Sequence, residues 1–86
     1  MSGVHKIQVR FIARELFPGM ENGEYEIADG SSVRDLLFLL EGKFDTKLQP
    51  EKLEFVLPLL NGKRFSLDDQ IHDSGKLHLC RTIVGG

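Results

Sequence analysis

The chain has 86 residues, enough for one domain with a single modest core. A hydrophobic share of 41% and a charged share of 28% fit a soluble globular protein and are too apolar for a disordered one. The formal net charge is −2, from 11 Lys+Arg against 13 Asp+Glu, and no basic stripe interleaves with the six Phe and one Tyr, which argues against nucleic-acid binding.

Residues 5–14 alternate. Ile7, Val9, Phe11 and Ala13 fall on one face and Lys6, Gln8, Arg10 and Arg14 on the other, the period of a half-buried strand. Ile12 interrupts the polar face, so partial cover is expected there too. Phe17-Pro18-Gly19 and Asn22-Gly23 are turn signals. Glu24-Tyr25-Glu26-Ile27-Ala28 alternates again, which predicts a hairpin with a long loop.

Asp29-Gly30-Ser31-Ser32 closes that strand and opens a helix. Ser32 is placed to cap it, with Asp35 three residues on as the shorter form of a capping box. Val33, Leu36, Leu37, Leu40 and Phe44 recur at helical spacing and make the core stripe. Phe38 and Leu39 widen it, which predicts a helix lying well into the concave side of a sheet. Residues 45–52 are polar, contain Pro50 and are expected to be a crossing loop.

Residues 53–60 are an apolar run too short for a helix, hence a strand. Asn61-Gly62 ends it with a hairpin signal, because both residues tolerate positive φ. Pro58 cannot donate to a ladder, which assigns it to an edge, a bulge or a partner-facing rim. Lys63-Arg64-Phe65 reads as a short return strand, and residues 66–69 as a capped turn or short 3₁₀ segment. Asp73-Ser74-Gly75 turns the chain into a last strand over 76–84. The predicted class is α+β, one helix packed across a mixed sheet of four to five strands.

That strand runs into Arg81-Thr82-Ile83-Val84 and then Gly85-Gly86. Glycine has no Cβ, so a Gly-Gly segment passes openings too narrow for other residues and takes the backbone geometry a partner imposes. Residues 82–86 are therefore expected to form a flexible tail that carries the Gly86 carboxylate.

The element order, the diglycine and several local strings together resemble the ThiS/MoaD family of sulfur carriers. Val9-Arg10-Phe11-Ile12-Ala13-Arg14-Glu15-Leu16 resembles the first strand and its exit in the MoaD branch, the small subunit of molybdopterin synthase. Ser32-Val33-Arg34-Asp35-Leu36-Leu37 resembles the capped start of the family's helix. Asn61-Gly62, Leu67, Asp73-x-Gly75 and Ile83-Val84-Gly85-Gly86 resemble its second half. Coverage is nearly the full chain. One departure bears on the pathway: the MoaD branch usually has prolines before the diglycine, and the Ile-Val ending is closer to the ThiS branch of thiamine synthesis.

The resemblance implies one ubiquitin-like β-grasp domain over residues 1–86. It implies that an ATP-dependent E1-like activating enzyme adenylates Gly86 and that sulfur then replaces one oxygen, giving a thiocarboxylate beside Gly85. The recipient would be the large catalytic subunit of molybdopterin synthase or an equivalent sulfur acceptor. The chain would be a cytoplasmic carrier rather than an enzyme, with no bound cofactor; ATP is used by the partner. A ThiS-type carrier for thiazole synthesis, a modifier joined through Gly86 to a lysine, and a plain ubiquitin-like binding module stand as alternatives.

Ordering residues 82–86 in a partner's channel costs on the order of 1–2 kcal/mol per residue, which calls for a second docking surface. Phe55, Leu57, Leu59 and Leu79 are its candidates on the sheet face away from the helix, next to Arg81, Thr82, Ile83 and Val84. Register decides which face each takes, and any of the four has a core role as its plainer alternative. His5, His72, His78 and Cys80 share no metal-ligand spacing, so no metal site is expected. One cysteine holds neither an internal disulfide nor an iron–sulfur cluster, and it fits a reducing compartment. No apolar run approaches the ~20 residues of a membrane span.

Overall fold

A computed structural model describes residues 3–82. Five strands form one sheet: β1 (Val4–Phe11), β2 (Gly23–Ala28), β3 (Val56–Leu60), β4 (Lys63–Arg64) and β5 (Gly75–Arg81), in the order β2-β1-β5-β3-β4. The central pair β1 and β5 runs parallel, with Val9 opposite Leu77 and Phe11 opposite Leu79. The other pairings are antiparallel. Two α-helices, α1 (Val33–Lys43) and the short α2 (Pro50–Leu53), and a 3₁₀ turn at Arg14–Leu16 complete the described chain. The mixed sheet with one main helix matches the predicted class.

Period-two patterning sets the sheet's two faces. Ile7, Val9 and Phe11 are buried in one cluster with Leu77 and Leu79 of β5, while Lys6, Gln8 and Arg10 are exposed. Helix α1 closes that cluster with Val33, Leu36, Leu37 and Leu40. Its start is the expected capping box. The Asp35 N–H donates to Ser32 Oγ at 3.1 Å, and the Ser32 N–H donates to the Asp35 carboxylate at 3.0 Å.

Several expectations need correction. Phe38 and Leu39 are 73% and 55% exposed, because Val33, Leu36, Leu37 and Leu40 already fill the helix face that the sheet can cover. Ile12 is 52% exposed instead of partly covered. The chain bends there, and the N–H groups of Ile12 and Ala13 both donate to the Leu79 carbonyl, so Ala13 still turns inward. The crossing loop contains α2, since Pro50 suits a first helical position, where no N–H partner is needed. The third strand accordingly begins at Val56 rather than residue 53. The first long loop is a turn, yet it feeds the core: Phe17 and Met20 are buried, and the Phe17 ring lies 5.0 Å from Phe11.

The hairpin between β3 and β4 turns at Asn61 (φ 52°) and Gly62 (φ 81°), the left-handed region that this dipeptide favours. Pro58 sits in β3 with its ring buried, although β3 is not an edge strand. Its carbonyl accepts from the Phe65 N–H at 2.9 Å. A residue's N–H and C=O point to the same side of an antiparallel ladder, so the missing donor falls where the two-residue β4 has already ended.

Candidate functional site

The candidate site is built from the open face of the sheet and the exit of β5. Strand β3 reads buried, half-buried, buried, half-buried, buried, so Val56, Pro58 and Leu60 point to the core and Leu57 and Leu59 to the open face. On β5, Leu77 and Leu79 point inward, and Lys76, His78 and Cys80 outward. Register places Leu57 opposite Cys80 and Leu59 opposite both His78 and Arg64. His78 in turn lies opposite Arg10 of β1. The result is a short apolar strip, Leu57, Leu59 and Cys80, bordered by Arg10, His78 and Arg64.

The predicted docking residues divide accordingly. Leu57 and Leu59 reach the open face. Leu79 does not: it is wholly buried, because its parallel pairing with Phe11 fixes it on the helix side, and it belongs to the core. Phe55 precedes β3 and is half-buried against the core edge. Ile12 supplies an exposed apolar side chain next to Leu79's strand, and the signal for it was present as an apolar residue at a polar-face position.

Phe55 also holds the start of the exit. Its carbonyl accepts from the Thr82 N–H at 2.7 Å, and the Arg81 guanidinium carbon stands 5.4 Å from the centre of its ring. Arg81 donates to the Glu15 carboxylate at 3.2 Å, from the 3₁₀ turn that follows β1. Hydrogen bonding to the backbone, and then the Arg81 guanidinium, hold the Glu15 carboxyl below the usual carboxylate range. Arg81 and Thr82 are thus steered by Glu15 and Phe55, residues remote in sequence. The predicted Ile83, Val84, Gly85 and Gly86 lie outside the described residues.

Among the described residues, no three His, Cys, Asp or Glu side chains form a group that could hold a metal ion. His5 and His72 do meet, on one Asp29 carboxylate oxygen at 2.7 and 3.2 Å. Their hydrogen bonds, His5 first, lower the Asp29 pKa. This clasp joins the start of β1, the end of β2 and the segment before β5; nothing in the sequence spacing announces it. No helix among the described residues is long and apolar enough to cross a membrane.

No protein-family model matches the sequence, and no curated protein does. Solved structures do match. A Pyrococcus furiosus protein described as molybdopterin converting factor, subunit 1, aligns with a TM-score of 0.61 at 22% identity, over 92% of this chain and 99% of that one. A ubiquitin from Caldiarchaeum subterraneum aligns with a TM-score of 0.58 at 19% identity, over 98% of this chain and 100% of its own. The small archaeal modifier protein 1 of Methanosarcina acetivorans gives 0.55 at 19%, over 98% and 99%. With its five-stranded mixed sheet and one main helix, the chain has the ubiquitin-like β-grasp fold.

Proposed function

We propose that the protein is a sulfur carrier whose C-terminal Gly86 carboxylate is adenylated by an ATP-dependent E1-like enzyme and converted to a thiocarboxylate. The observation that carries this reading is the placement of the strand exit. β5 lies in the middle of the sheet, and its last described residues leave beside an apolar open face, with Gly85-Gly86 to follow in sequence. A partner that grips Leu57 and Leu59 is then positioned to receive what Gly86 carries. The pathway we propose is molybdopterin synthesis, with the large catalytic subunit of the synthase as acceptor, on the strings that resemble the MoaD branch; the fold shared with a molybdopterin converting factor subunit is in keeping with a carrier role. The ThiS-like Ile-Val ending keeps thiazole synthesis as the alternative recipient.

A carboxylate is a poor electrophile until its oxygen attacks the α-phosphorus of ATP, pyrophosphate leaves, and a mixed anhydride with AMP is formed. A sulfur nucleophile then forms the C–S bond and AMP leaves with the C–O bond electrons. The carrier supplies the reacting carboxyl and a docking surface; its partners supply ATP, metal and base. We assign this chemistry to the cytoplasm, where a lone cysteine such as Cys80 stays reduced.

A second reading is a protein modifier, joined through Gly86 to a target lysine, and the likeness to a ubiquitin and to a small archaeal modifier protein favours it. Deleting Gly86 tests both. The shortened chain is expected to fold as before and to lose sulfur transfer entirely; undiminished transfer would end the carrier reading. Lysine-linked conjugates that vanish with Gly86 would identify the modifier.

A further inference from the structure

The open face carries a second feature, which meets the apolar strip at Arg10 and His78 and runs away from it. Two depressions run end to end along β1 and β5 and share Gln8, Glu24 and Lys76. The first, nearer the exit of β5, is also lined by Arg10 and His78; the second continues past Lys6 and Ser74. Together they form one shallow groove along the strands.

Its charge is not that of the molecule. The protein as a whole is net −2, yet three cations, Lys6, Arg10 and Lys76, line this groove against one lining carboxylate, Glu24, with Glu26 on the same face opposite Lys6. All three cations are exposed, and among the described residues none is in an ion pair. Their spacing is regular. Lys6 and Arg10 are four residues apart on β1, and Lys76 of β5 pairs with Gln8 between them. At ~3.3 Å per strand residue, a positive charge recurs about every 7 Å along the groove. An extended peptide also repeats its side chains on one face every second residue, about 7 Å apart.

We propose that this groove receives an extended acidic segment of a partner protein, with carboxylates at alternate positions meeting Lys6, Lys76 and Arg10. Nucleic acid is the less suitable polyanion. The outward residues of β1, β2 and β5 include no Phe, Tyr or Trp on which bases would stack, leaving only the His78 ring, and Glu24 would face the phosphates. The assignment stands apart from the sulfur chemistry, since it needs no reaction at Gly86.

The probe is a fluorescein-labelled peptide of alternating Glu and Ser, titrated with the intact protein and followed by anisotropy. Binding is expected at low salt and falls steeply as salt rises toward physiological strength, because exposed charges are screened. Lys76→Gln is expected to weaken binding about threefold and Arg10→Gln by a similar factor, whereas Glu24→Gln tightens it. Unchanged thermal midpoints confirm that each variant is folded. Absence of binding at low salt, equal binding of an alternating Lys-Ser peptide, or indifference to all three substitutions would overturn the proposal. So would tighter binding of a single-stranded oligonucleotide of equal charge.

Discussion

Leu59 and Leu79 lie on neighbouring paired strands and are chemically identical, yet register gives them opposite roles. Leu79 is wholly buried between sheet and helix, and Leu79→Ala is expected to lower stability by about 2–5 kcal/mol, read from the urea midpoint. Leu59→Ser, on the open face, is expected to leave the midpoint nearly unchanged and to weaken partner docking about tenfold. A second contrast concerns Asp29. Its carboxyl is held below the ordinary value by His5 and then His72, so the folded state favours the charged form. That contribution is complete above about pH 4, near the unfolded carboxylate value, and is lost as pH falls through the lowered folded value. Urea midpoints measured down to pH 3 are expected to fall further for the wild type than for Asp29→Asn. Equal falls would show that the clasp adds nothing. Because Asp29 is partly exposed, the effect is small.

Among the elements, α1 is the one whose sequence instructions were most complete. Ser32 and Asp35 cap its start, and four apolar positions at helical spacing dock it. Ser32→Ala removes one half of the capping box and is expected to cost about 1 kcal/mol, with Ser32→Asp recovering most of it. Thermal unfolding of the three forms checks this. The strands were legible in their alternation, because a period of two separates two faces and Asn61-Gly62 can hardly be other than a tight turn, although β3 starts later than its apolar run. What a single strand's pattern does not carry is which face meets the helix. Leu79 was misplaced for that reason: its face is decided by Phe11, 68 residues earlier, through a parallel pairing that leaves no local mark. Phe38 and Leu39 fail for a related reason. An apolar residue next to a stripe joins the core only if a neighbouring element extends far enough to cover it. The clasp on Asp29 and the grip of Glu15 and Phe55 on the β5 exit are likewise products of tertiary assembly.

At the scale of the whole molecule, the fold sets a five-stranded sheet behind the β5 exit. The helix side is closed by the core, and the open face holds the apolar strip near the β5 exit with the basic groove running away from it. A partner reading both would contact surface spread along the strands instead of the tail alone, which offsets the entropy of ordering residues 82–86 in a channel. The proposed chemistry at Gly86 is read from the intact mass of the protein. The protein is incubated with ATP, a sulfur donor and an extract of its source cells in which an activating enzyme has been shown to be present. A sulfur carrier gains the mass of one oxygen exchanged for sulfur, mapped to Gly86 and abolished by its deletion. An unchanged mass under those conditions would contradict the carrier reading.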